Sequence, residues 1–239
     1  MNTPAKNPYQ EHILIIRRHL NMKDAGLQKV LLAERLVIVV LCCILILLPS
    51  MFIRYVFGII SRRARKIAVE VYVLFKTVLA IGSLSYGLWH KHWFVWLALI
   101  MLIDLFAFIF ALILLRGFWR SPVSLNRSII LLGFNFFEYT AWFAGLYLFY
   151  ACLLTSGKIV TDPSLALYFS IVTAATIGYG DIVPSGYGHT LAIFQIVASL
   201  GYLAAVVAYF IGGLERQDPD VEPPNAQPRE EQPAARYRD

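Results

Sequence analysis

The sequence predicts an all-α membrane protein with five transmembrane helices. Three observations carry this. The 239-residue chain is 59% hydrophobic and 15% charged, with mean hydropathy +0.64. A soluble domain is about 45–50% apolar and about 25% charged, so some apolar surface must face lipid. Five stretches supply the roughly 17–25 mainly apolar residues that a crossing helix needs. They are too long for strands and lack the period-two alternation of a membrane barrel. A soluble enzyme is excluded as the default reading, and the formal charge of +6, from 21 basic and 15 acidic residues, is not gathered on one nucleic-acid-binding face.

Residues 1–35 form a polar segment in which Ile13, Ile16, Leu20, Leu27 and Leu31 fall near one helical face, the pattern of an interfacial helix. A signal peptide would begin its apolar run sooner and carry a small-residue cleavage site, so the first span, Leu36 to about Ile60, is expected to be retained. Cys42 and Cys43 are adjacent inside it and Cys152 is far away; the spacing fits neither a disulfide framework nor a metal site, and they read as packing residues. The second span runs from Ile67 to Trp89 and the third from Trp93 to Leu115, so residues 36–116 make a three-helix membrane domain. The fourth runs from about Ser128 to Leu154 and the fifth from about Thr190 to Gly213.

Loop charges orient these spans, because basic residues prefer the cytoplasmic side. Arg62, Arg63, Arg65 and Lys66 fill the first turn, and Arg116, Arg120 and Arg127 mark a basic cytoplasmic turn at 117–127. The loop with His90, Lys91 and His92 is then external, as is the loop after the fourth span. Residues 214–239 form a cytoplasmic tail with five of the eleven prolines and seven acids against four arginines, a composition that predicts disorder. This places the chain as a multi-pass protein of the inner or plasma membrane. Five spans put the N-terminus outside, against the preference of Lys6, Arg17, Arg18, Lys23, Lys29 and Arg35.

Three ionisable residues fall near mid-depth: Lys76, Asp104 and Glu138. At about 1.5 Å per residue, Lys76 lies roughly 14 Å deep and the two acids a little deeper. Buried charges need partners or a changed protonation state. Lys76 with Asp104 is the expected pair, and Glu138 is expected at the interface of the fourth span, where helix-packing glue is the favoured role. Arg54 and Glu70 lie near span ends and can snorkel. His90, His92 and His189 are expected to be solvated rather than pH sensors.

Between the last two spans lies DPSLALYFSIVTAATIGYGDIVPSG, residues 162–186. Asp162 is a good N-cap and Pro163 a good first helical residue. A helix over about 164–175 follows, too short to cross. Next comes Thr176-Ile177-Gly178-Tyr179-Gly180-Asp181, and Pro184, Gly186 and Gly188 then break the chain. Gly178 and Gly180 permit left-handed backbone, so alternating handedness can turn successive carbonyls to one side. The short helix ends at Ala175, and its partial negative charge there favours a cation.

At these residues the sequence resembles the selectivity-filter segment of potassium channels, over roughly residues 128–213: outer helix, pore helix 164–175, filter 176–181 and inner helix 190–213. The resemblance implies K+ coordination by the carbonyls of Thr176, Ile177, Gly178 and Tyr179, with the Thr176 hydroxyl at the innermost site and Gly180 at the outer mouth. It implies filter support from Tyr168, Phe169, Thr173 and Asp181, and a homotetramer in the bilayer, since one chain supplies one filter strand. The sequence departs at Ala175, where many members have Thr, and at Tyr168-Phe169, where many have a Trp pair; the second change removes a tryptophan N–H partner for Asp181. Gly201 lies mid-way along the inner helix as a gate-hinge candidate, with a close helix contact the favoured alternative.

The function implied is passive, potassium-selective conduction, not steeply voltage-gated, because no span carries several arginines. No cofactor and no nucleotide, metal or small-molecule domain is expected beyond the transported K+. A nonselective cation channel and a non-conducting accessory subunit are alternatives. A single-chain transporter with four pore repeats fails on the count of one repeat. An intramembrane aspartyl protease is a remote alternative: Gly178-Tyr179-Gly180-Asp181 fits G-x-G-D, but Ile103 stands where that family has Tyr before its partner aspartate.

Overall fold

A computed structural model describes residues 32–114 and 125–214, with a few scattered positions before them. Most of the N-terminal segment up to residue 31, the turn with Arg116 and Arg120, and the tail from 215 onward lie outside the described residues. The helices are α1 (Leu32–Leu47), α2 (Pro49–Ile60), α3 (Arg62–Ser85), α4 (His92–Leu114), α5 (Leu125–Phe149), α6 (Pro163–Ala174) and α7 (Tyr187–Leu214). A single 3-10 turn, Leu88–His90, joins α3 to α4. The chain is an all-α membrane protein in architecture. Four described helices, α3, α4, α5 and α7, are long and apolar enough to cross a membrane, and a fifth crossing exists if α1 and α2 count as one.

That first span is not the straight helix expected. Its halves are bent by 68°. Pro49 opens α2 and has no N–H to give, and it holds Leu48 in extended backbone (φ −86°, ψ 149°).

The fourth span is shorter than expected. Helix α5 stops at Phe149, Ala151 takes left-handed backbone (φ 46°), and the N–H groups of Ala151 and Cys152 bond back to Leu148 and Tyr147 O. This is a Schellman ending, made without the glycine that usually announces one. The chain then forms β1 (Leu153–Thr155), β2 (Lys158–Ile159) and, past the filter, β3 (Val183–Pro184), in the order β2-β1-β3 with both pairings antiparallel. The β1–β2 turn is Ser156-Gly157, both at positive φ, as a two-residue primed hairpin demands. The sequence reading took residues 153 and 154 as helix because they continue an apolar run.

The main core runs through α3, α4, α5, α6 and α7 and contains Phe94, Tyr139, Trp142, Tyr147 and Leu153, all almost fully buried. A second cluster seats α1 on α4 through Cys42, Leu45, Ala107 and Ala111. Cys152 belongs to the main core, so two of the three cysteines act as packing residues. Helix α7 starts at Tyr187, earlier than expected, because Gly188 fits inside its first turn: a Cβ there would stand 2.4 Å from Cys152 O. Gly201 does not interrupt α7; its open side faces the Phe110 ring of α4 at 3.4 Å.

Gly145 lets α5 approach α4 closely, since a Cβ there would meet Phe94 Cζ at 2.3 Å. Gly145→Ala should destabilise the folded chain by about 1–3 kcal/mol. Gly145→Ala combined with Phe94→Leu should recover part of that loss, as read by thermal unfolding in detergent.

Candidate functional site

The short helix α6 forms as its sequence dictates. The Asp162 side chain accepts from Ser164 N at 2.9 Å and Ser164 Oγ at 2.8 Å, which also holds its carboxyl below the usual range. Pro163 stands at the first helical position. Ala166, Phe169, Ser170, Val172 and Ala174 are buried, and Phe169 meets the Tyr147 ring of α5 edge-on at 5.0 Å.

The end of α6 leads into residues 176–181, the expected filter strand. Ile177 N bonds to Val172 O at 3.0 Å and Thr176 N to Thr173 O at 3.1 Å, a second Schellman ending. Thr173 thus holds Thr176 through its carbonyl. Thr176 takes φ 57°, Gly178 φ 59° and Gly180 φ 80°, while Ile177 and Tyr179 are not left-handed. Handedness therefore alternates along 176–180, as expected from Gly178 and Gly180. Thr176 was not expected to join them, because a β-branched residue rarely takes positive φ. Left-handed backbone costs such a residue roughly 1–2 kcal/mol, and here the two capping bonds hold it.

Around the strand, Tyr179 stacks on Tyr168 with ring planes 2° apart and centroids 6.5 Å apart. Desolvation, and after it the nearby Asp181, raise the Tyr168 hydroxyl above its ordinary value. Thr155 Oγ1 donates to Asp181 O at 3.2 Å, and β3 pairs with β1, so the strand's exit is tied to the end of α5. All of Thr176 to Gly180 is exposed in the single chain, with Ile177 at 53% and Tyr179 at 68%. Non-helical backbone cannot face lipid.

Behind α6 lies a polar network that the sequence reading missed. Gln195 of α7 is fully buried. It accepts from Tyr147 OH at 2.8 Å, and its Nε2 donates to Ser170 O and Ser170 Oγ, each at 2.8 Å. Ser170 Oγ donates onward to Thr140 O at 2.7 Å. The available signal was one carboxamide in an otherwise apolar span.

The three mid-depth charges come together. Lys76 Nζ lies 3.1 Å from Asp104 Oδ2 and 3.2 Å from Glu138 Oε1, and all three side chains are buried. The expected Lys76–Asp104 pair is present, and Glu138 shares the same ammonium. Asp104 is well served: it also accepts from Tyr72 OH at 3.0 Å and from Ser50 N, in the first turn of α2, at 3.3 Å. Neither Glu138 oxygen accepts a hydrogen bond of good geometry, so the ion pair is its polar contact. Nearer the helix ends, Arg127 pairs with Glu70 and donates to Lys66 O, and Arg54 lies over the Phe108 ring at 4.5 Å. His189 bonds to Gly186 O at 3.1 Å through Nδ1, and His90 and His92 are exposed.

With this geometry in place, comparison with known proteins gives the following. Residues 128–216 match the ion channel family. The voltage-gated potassium channel Kch of Escherichia coli K12 is 30% identical over 142 residues, which is 58% of this chain and 32% of that protein. The chain thus spans about a third of that relative's length. No solved structure matches it.

Lys76→Met should leave two buried carboxylates without a cation, a loss of roughly 3–5 kcal/mol. Lys76→Met with Asp104→Asn and Glu138→Gln should restore much of it, because the triple change removes all three charges together. Yield of folded, monodisperse protein in detergent reads both.

Proposed function

We propose that this chain, whose residues 128–216 match the ion channel family, is a potassium channel that assembles as a homotetramer and conducts K+ passively down its gradient. The observation that carries the reading is the alternation of backbone handedness at Thr176, Gly178 and Gly180. It turns successive carbonyls toward one side, where four strands around an axis replace the hydration shell of a cation. Thr176, Ile177, Gly178 and Tyr179 supply those oxygens, and the Thr176 hydroxyl serves the innermost site. The exposed strand supports closure by further copies, which would cover it. Asp181, Tyr168, Phe169 and Thr173 brace the strand from behind.

The chain works without catalysis. An aspartyl-protease reading needs two carboxylates acting together. Asp104 instead spends its oxygens on Lys76, Tyr72 and Ser50. We further propose that the loop after α5 is external, that the 61–66 turn is cytoplasmic, and that Gly201 serves helix contact rather than hinging, since α7 passes it unbroken.

The decisive measurement is the reversal potential of the purified chain in planar bilayers. It should follow the K+ equilibrium potential when K+ and Na+ oppose each other. A reversal near zero establishes a nonselective channel, and silence establishes a non-conducting subunit.

Steep voltage dependence is not expected, although the relative's name includes it. Helices α3 and α4 carry no arginine within their membrane-crossing middles. A conductance–voltage curve should therefore be shallow; an effective gating charge of several units per tetramer would contradict this.

A further inference from the structure

We propose that Gln195 is a positioning residue that locks the pore helix α6, and with it the filter, to the inner helix α7 and the outer helix α5. The functional meaning rests on the potassium-channel reading; the geometry does not. Gln195 uses both ends of its carboxamide on two different helices. The Oε1 end takes the Tyr147 proton of α5, and the two Nε2 protons go to Ser170 of α6.

The arrangement has one sense only. Ser170 O is an acceptor without a proton, so a reversed amide would set oxygen against oxygen. Ser170 Oγ gives its proton to Thr140 O and can only accept from Gln195. One turn further along α7, Ser199 Oγ donates to Gln195 O at 2.7 Å, so Tyr139 OH must donate to Ser199 at 3.0 Å. Every polar atom in this chain of bonds is satisfied away from water. A buried network is costly when partly satisfied and rigid when complete.

Position makes the network consequential. Ser170 precedes Val172 and Thr173, whose carbonyls hold Thr176 and Ile177 in the Schellman ending. A shift of α6 at Ser170 therefore reaches the first filter residues through a single turn of helix. Gln195 lies six residues before Gly201 on α7, so the upper part of the inner helix is fixed to the filter's support.

The test uses the full chain reconstituted in lipid nanodiscs and followed by amide hydrogen exchange. Gln195→Met keeps the side-chain length and removes all three side-chain bonds. Losing these bonds leaves Tyr147 OH without its acceptor and takes Gln195 away from Ser170, so exchange over 171–178 should quicken about tenfold, with α3 unchanged. Unchanged exchange over 171–178 overturns the proposal, as does an equal loss of protection throughout α3.

Gln195→Glu gives a readout that simple packing does not. Its carboxylate repels Ser170 O, whereas its protonated form donates there and accepts from Tyr147. Protection of 171–178 should be lost at high pH and regained at low pH relative to wild type; a pH-independent difference overturns the proposal even if Gln195→Met fails to fold. K+ and Na+ flux in the same lipids separates the two readings. Wild type that does not conduct counts against the channel, while exchange still decides the role of Gln195. If wild type conducts, Gln195→Met should lower K+/Na+ discrimination, and retained discrimination overturns the coupling to the filter.

Discussion

The structure depends on how it buries one carboxylate inside a membrane. Asp104 lies in the middle of α4 with almost no exposure. A charge there is tolerated only with donors on several sides. The donors come from three directions: Ser50 N at the start of α2, Tyr72 OH and Lys76 Nζ from α3, and through Lys76 a link to Glu138 on α5. Satisfying one residue thus brings four helices to one point. The break at Pro49 belongs to the same solution, because only a newly started helix presents free N–H groups, and its positive end suits an anion. Lys76 and Glu138 carry the arrangement into α5, the outer helix of the proposed pore module.

Within that module the same requirement, that backbone and side-chain polar groups be satisfied without water, acts at a finer scale. Helix α6 stops inside the protein, and its last carbonyls are taken by Thr176 and Ile177 rather than left bare. That capping sets Thr176 left-handed and begins the alternation that the glycines continue. The hairpin 153–159 and strand β3 fix the other end of the filter to the end of α5. Gln195 and Ser170 fill the space behind with a closed set of bonds. The strand that does the proposed work is braced at its start, its exit and its back, and is bare on the face it would turn to other copies.

The expectations about where long helices form rest on quantities local along the chain. Long apolar runs became α3, α4, α5 and α7 with modest changes at their ends. Asp162 and Pro163 started α6 within a residue of the expected place. The misses share a physical cause. Ala151 and Thr176 adopt left-handed backbone without being glycine, so neither helix ending is written in the residue that makes it. The apolar run into Leu153 and Leu154 is equally suited to a helix or a buried strand. The hairpin signal was the Ser156-Gly157 turn, two small residues at the edge of a predicted span.

By itself the sequence determined that the chain enters a membrane, roughly where each helix runs, and that 176–181 is built for left-handed alternation. It did so because hydrophobic length, caps and glycine permissiveness act within a few residues. Only the tertiary structure decided that Lys76 serves Asp104 and Glu138 together, that the first span is bent by 68°, and that Gln195 of α7 holds Ser170 of α6. Those outcomes depend on which polar groups meet across helices distant in sequence. In a membrane that meeting is compulsory, but its partners are chosen by packing and not by spacing along the chain.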